Sequence, residues 1–205
     1  MKIAIASAKG GVTKTTTSIY LAYCAAQRGY SSQVIDLDGQ GSATRWSYSL
    51  EDTDEALPFP VRSANRHELP RIDDGDSVIL IDTPPSQPDM TELACNNADL
   101  VIVVTPPALD DMGQAGVICQ AMADADKSFF ALITRAKKGT KALKNGRDAL
   151  EDAGFPVCDV VIPERVAYQD SQAITKQKLE PYTQVWEQIE QICEDILPSQ
   201  QGEKP

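Results

Sequence analysis

The chain has 205 residues, 42% of them hydrophobic, enough for one domain with a full core and no call on disulfides or a structural metal. Its 30 acidic against 19 basic residues give a net charge of −11, which opposes attraction of the whole chain to nucleic acid or anionic membrane and makes any such contact local. Five scattered cysteines without a C-x-x-C pair belong to core packing rather than a disulfide framework or zinc site, and no apolar run reaches the ~20 residues of a membrane span.

Mostly apolar runs near residues 2–6, 33–37, 77–82, 100–105, 129–134 and 157–162 predict strands buried on both faces. Between them, helical patterns cover about 14–28, closed by Gly29, then 87–97, 110–125, 141–153, closed by Gly154, and 181–196. The alternation predicts an α/β fold, a mainly parallel sheet with helices on both faces. One domain is expected over residues 1–197, followed by a polar tail over 198–205. Residues 51–76 carry Pro58, Pro60 and Pro70 and predict only a short edge strand at residues 59–61. His67, among charged neighbours there, reads as a surface residue. The chain opens directly on a strand, without a signal-peptide pattern, which predicts a cytoplasmic protein.

The segment Ser7-Ala-Lys-Gly-Gly-Val-Thr-Lys-Thr-Thr16 joins the first strand to the first helix, where a phosphate-binding loop belongs. Backbone N–H groups from Gly10 and Gly11 through Val12, Thr13, Lys14, Thr15 and Thr16 would cradle phosphate at the positive end of the helix. Lys14 would reach the terminal phosphates and the Thr15 hydroxyl would hold Mg²⁺. Against the pattern G-x-x-x-x-G-K-[ST], Ala8 and Thr13 replace the two outer glycines. Thr13 is expected to narrow the approach to the phosphates or to slow turnover. Ligands of parallel α/β sheets sit beyond the carboxyl ends of strands, which draws attention to Asp36, Asp38 and Asp82. The run from Ser77 to Asp82 has the form of a Walker B strand. With Lys14 and Thr15, Asp82 completes a metal and phosphate set for phosphoryl transfer.

Lys9, a second lysine in the loop, resembles the deviant Walker A motif KGGxxK[ST] of the ParA/MinD class of ATPases. Asp36 to Thr44, Asp-Leu-Asp-Gly-Gln-Gly-Ser-Ala-Thr, resembles that class's D-x-D-P-Q-G-x-A-T, with Gly39 in place of proline. Val103 to Asp110, Leu132 to Arg135 and Ile162 to Tyr168 resemble three further segments of these ATPases, the last its I-P-x-R stretch. The likeness runs from Met1 to about Trp186 and is to the short ParA form without an N-terminal DNA-binding extension. It implies ATP and Mg²⁺ as cofactors and a homodimer in the ATP state, with Lys9 reaching the partner's nucleotide. It implies catalytic roles for Lys9, Lys14 and Asp38, the last positioning the attacking water. It places Asp36 beside Thr15 and Asp82 at the metal, and Arg135 and Pro163 near the base.

From Arg135 to Arg147 six basic residues stand without an acidic one, and Lys137, Lys138, Lys141, Lys144 and Arg147 are the candidates for nonspecific DNA. On a helix from Thr140, the buried stripe is expected to be Ala142, Leu143, Ala149, Leu150 and Ala153. The competing reading is a solvated face with Lys144–Asp148 and Arg147–Glu151 pairs at i,i+4. Together these imply a nucleoid-associated ATPase that dimerises on ATP and positions a plasmid or a protein assembly, released when an adaptor protein stimulates hydrolysis. A MinD-type membrane switch needs a basic amphipathic C-terminal helix, whereas residues from Glu187 are acidic and then polar. A phosphate-loop ligase of the dethiobiotin synthetase type and an iron–sulfur nucleotide protein are the other rivals.

Overall fold

The computed structural model describes residues 1–164 and 174–198. Six strands, β1 (Lys2–Ala6), β2 (Ser31–Asp36), β3 (Val61–Ser63), β4 (Ser77–Asp82), β5 (Leu100–Thr105) and β6 (Phe129–Ile133), form one sheet. Their order is β3-β2-β4-β1-β5-β6, and every pairing is parallel. The helices are α1 (Lys14–Gln27), α2 (Ser42–Leu50), α3 (Pro88–Asn96), α4 (Leu109–Asp124), α5 (Lys141–Asp152) and α6 (Lys176–Ile192). No helix among the described residues is long and apolar enough to cross a membrane.

The strands read as continuous apolar runs because both faces are covered. Along β4, Val78 and Leu80 enter a core beneath α1, α2 and α6, while Ile79 and Ile81 enter a second core beneath α3, α4 and α5. In the first core Tyr20 of α1 stacks on Tyr182 of α6 with centroids 4.9 Å apart, and Tyr30 lies 5.8 Å from Trp186. Arg28 at the end of α1 closes the same contact by pairing with Glu187 and Glu190. All five cysteines are buried in these cores, and burial pushes their thiols up to about 11 or 12. His67 is exposed.

Four boundaries differ from the sequence expectations. The run at 157–162 is not a strand but touches the sheet edge through bridges at Val157 and Pro163. Cys158 N–H bonds the Ala131 carbonyl and Ile162 N–H that of Ile133, so four residues travel past two, and the extra ones bulge out. Helix α6 begins five residues earlier than Pro181, because Thr175 caps it by accepting from Lys178 N–H at 3.4 Å. Pro181 removes one backbone bond and leaves the helix intact. The edge strand is shifted to Val61–Ser63, with the Pro60 carbonyl accepting from Val34 N–H at 3.0 Å. Finally, α2 was not expected, although Ala43, Trp46 and Leu50, all buried, fall at helical spacing.

Helix α5 also rotates its buried face. Leu150 and Gly146 are buried and Leu143 partly so, while Ala142, Ala149 and Ala153 are exposed. Met112 of α4 packs against Gly146 so closely that an added Cβ would meet its Cε at 2.8 Å and the methionine tip would have to shift.

Because Trp186 is fully buried between α1 and α6, Trp186→Ala should cost about 3–5 kcal/mol of stability, read as a lower urea midpoint with unchanged slope.

Candidate nucleotide-binding site

Strand register assembles the site. Ile5 of β1 stands opposite Asp82 of β4, which stands opposite Asp36 of β2, so the carboxyl ends of three neighbouring strands finish on one rung. The loop after β1 turns over this rung and enters α1. Gly11 takes φ 73, and Gly10 lies where a Cβ would sit 3.4 Å from Pro85. Helix α1 starts without a side-chain cap and without an acidic residue in its first turn, so its N-terminal N–H groups and positive dipole end stay open to an anion. A cleft of about 650 Å³ opens there, lined by Gly10, Gly11, Thr13, Lys14, Thr15 and Thr16 on one wall. Asp38, Gln40, Arg45 and Trp46 line a second wall, and Arg135, Ile162, Pro163, Glu164 and Tyr182 a third.

Lys14 is buried, and its Nζ donates to the Lys9 carbonyl at 2.7 Å. Burial lowers its pKa, while Asp82 and Asp38 act in the opposite sense. Thr15 Oγ1 donates to Asp82 Oδ2 at 2.7 Å, and Asp82 Oδ1 is buried without a hydrogen-bond partner among the described residues. Burial pushes Asp82 up to about 7. An orphaned carboxylate oxygen beside a hydroxyl is a hard-oxygen pair of the kind that suits Mg²⁺, so these residues fit that cation. When bound, Mg²⁺ supplies neutralisation of phosphate charge. Val12, also expected in the cradle, is buried, and its carbonyl accepts from Thr134 Oγ1 at 3.1 Å, which props the loop from β6.

Asp36 is held differently from Asp82. Its Oδ1 accepts from Asp38 N–H at 3.0 Å, and its Oδ2 accepts from both Thr44 N–H and Thr44 Oγ1 at 2.9 Å. It therefore caps α2 from the end of β2, and its lone pairs organise the segment that carries Asp38. Asp38 in turn accepts from Gln40 N–H at 2.9 Å and faces the cleft.

Lys9 does not line its own chain's cleft. Its Nζ lies 2.6 Å from Asp111 in the first turn of α4, which raises its pKa. Arg135, in a left-handed conformation with φ 52, donates to the Gly11 carbonyl at 3.1 Å and pairs with Glu164 at 3.5 Å. Arg165 to Tyr168 of the I-P-x-R stretch lie outside the described residues. Arg45, Trp46 and Tyr182 are cleft residues that sequence reasoning missed. The spacing of α2 would have found the first two.

In the basic run, Lys144 pairs with Asp148, and Lys137 with Glu164 at 3.2 Å. Arg147 pairs with Glu151 at 3.2 Å and donates to the carbonyls of Cys158 and Asp159. Lys138 and Lys141 make no ion pair among the described residues.

A family model described as the CobQ/CobB/MinD/ParA nucleotide binding domain matches residues 3–177. The chain belongs to this family. It is an ATPase of the ParA/MinD kind, with ATP and Mg²⁺ as its cofactors. Maintenance of carboxysome distribution protein A of Gloeobacter kilaueensis is 30% identical over 174 residues, 82% of this chain and 78% of that protein. Protein ParA of Rhizobium radiobacter is 30% identical over 176 residues, 81% of this chain and 79% of that protein. Among solved structures, the MinD cell division protein of Aquifex aeolicus superposes with a TM-score of 0.74 at 18% identity, covering 92% of this chain and 96% of that one. A plasmid partition protein of Borrelia burgdorferi bound to AMPPNP gives 0.71 at 20% identity, covering 93% and 98%. These two likenesses establish the shared fold.

A carboxyl whose folded pKa is about 7, against an ordinary 3.8, binds protons in the native state that the unfolded chain has released. Its contribution to nucleotide-free stability is therefore present below about pH 4 and lost as pH rises through about 7. Asp82→Asn should flatten that decline between pH 5 and 8 in thermal melts without nucleotide. An unchanged pH slope would count against the burial of a protonated Asp82.

Proposed function

We propose that this ATPase is a dimerising switch that positions a cargo, a plasmid or a protein assembly, using nonspecific DNA as its matrix. The observation that carries the proposal is the opposite placement of two lysines from one loop. Lys14 is buried against the phosphate cradle of its own chain, whereas Lys9 points away from that cleft to the chain's surface beside Asp111. A loop lysine that its own cleft does not use has a use at the cleft of a second copy, where it would neutralise developing phosphate charge. In the same proposal Asp38, set in the cleft wall by Asp36 and Gln40, orients the attacking water. The relatives named for carboxysome distribution and for partition support cargo positioning. An adaptor protein is the expected trigger of hydrolysis.

The DNA arm of the proposal rests on Lys138 and Lys141. Lys144 and Arg147 pair with Asp148 and Glu151, as the solvated-face reading expects, and Lys137 pairs with Glu164 as well.

With Mg²⁺ and a slowly hydrolysed ATP analogue, light scattering should report a dimer at tens of micromolar, on the order of ordinary transient affinities. Lys9→Ala should bind nucleotide yet lose stimulated hydrolysis, and Asp38→Ala should keep the dimer while turnover drops. A chain that stays monomeric under these conditions defeats the switch.

For the matrix, the double change Lys138→Gln with Lys141→Gln should reduce the salt slope of duplex DNA binding by roughly 0.9 per lost contact. ATP affinity should be unaffected. An unaltered slope moves the DNA site off this run.

A further inference from the structure

Thr13 carries three features that nucleotide binding by the rest of the loop leaves unexplained. Its backbone lies in the left-handed region at φ 76, ψ 20, which glycine adopts freely and a β-branched residue only under strain. It is the N-cap of α1, yet no side-chain cap bond forms. Its Oγ1 is buried and has no hydrogen-bond partner among the described residues. Strain and an unsatisfied hydroxyl fall on one residue, and glycine at this position would carry neither cost.

The surroundings leave the hydroxyl no acceptor in the loop. Thr13 lines the cleft between Gly11 and Lys14. The neighbouring loop carbonyls already accept: Gly11 from Arg135, Val12 from Thr134 Oγ1 and Thr13 from Thr17 N–H. The loop's own carbonyls are thus engaged, so the shielded Thr13 hydroxyl finds its acceptor in a ligand oxygen once rotation about its Cα–Cβ bond turns it to the cleft.

We propose that Thr13 Oγ1 is a phosphate-binding group of this chain, donating a hydrogen bond to a nucleotide phosphate oxygen. The inference rests on the loop's nucleotide-binding role and extends it to a residue that the general phosphate-loop pattern leaves as glycine. A hydroxyl unsatisfied in the nucleotide-free protein gains its partner on binding, so the substitution tightens the hold on nucleotide and slows its release. It is a positioning residue, and its effect lies in affinity and in nucleotide-free stability rather than in bond making.

Three variants separate hydroxyl from shape. Thr13→Val keeps the β-branch without the hydroxyl, Thr13→Ser keeps the hydroxyl without the methyl, and Thr13→Gly removes both with the strain. Affinity for Mg-ADP is measured by calorimetry on the full chain, and melting is followed without nucleotide. Thr13→Val should bind about tenfold or more weakly, the effect of one hydrogen bond to a charged acceptor, and should melt no lower than the wild type. Thr13→Ser should bind within about threefold of the wild type, and Thr13→Gly should melt higher. Valine binding as tightly as threonine overturns the inference, and so does serine binding as weakly as valine, because shape would then carry the effect. A wild-type chain that fails to bind Mg-ADP brings down the nucleotide reading itself, a result distinct from either.

Discussion

The molecule depends on the rung that joins Ile5, Asp82 and Asp36 across three parallel strands. Parallel pairing sends every strand's carboxyl end to the same edge, so two carboxylates from distant stretches of sequence arrive beneath one loop. The rung sets an electrostatic problem at the centre of the protein. Asp36 and Asp82 are both nearly fully buried, and the Asp36 charge adds to the cost of charging Asp82. Burial, with the Asp36 charge adding to it, holds Asp82 far above an ordinary carboxyl, and Thr15 and Lys14 offset this only in part.

The two carboxylates answer the problem in different ways. Asp36 accepts from three donors, Asp38 N–H ahead of α2 and Thr44 N–H and Oγ1 within its first turn. Asp82 has one donor, Thr15, and one bare oxygen. The asymmetry divides the labour: one carboxylate builds the segment around Asp38, and the other is left in need of a cation. It also couples the cleft wall to the sheet, since moving α2 would strip Asp36 of two of its bonds. Any rearrangement of Asp38 on binding must therefore keep Thr44 on Asp36 or replace it.

Much of this was legible in the sequence. The six-element α/β alternation, the loop and the acidic strand ends are local patterns, and they placed Lys14, Thr15, Asp38 and Asp82 at one site. What failed was decided at a distance. Residues 157–162 are apolar enough for a strand, but only the sheet edge determines that they bulge along β6. The buried face of α5 follows Gly146 and the approach of Met112, which no pattern within the helix announces. Helix α2 was overlooked because the turn signals of Gly39 and Gly41 masked the spacing of Ala43, Trp46 and Leu50. Asp36 looked like a metal neighbour because its position, unlike its hydrogen bonds, is written in the sequence.

The same contrast explains the basic stretch. Counted along the chain, residues 135–147 are a block of positive charge, but folding brings Glu164 across from the bulged segment and Asp148 and Glu151 from the next turn of the helix. Lys9 follows the opposite course: a residue set within a phosphate loop is drawn by Asp111 to the surface of α4. That ion pair is open to solvent on the lysine side, which screens it. It orders the lysine beside α4 without fixing it there. In the dimer we propose, a contact of that strength would let Lys9 exchange Asp111 for a phosphate of the second copy.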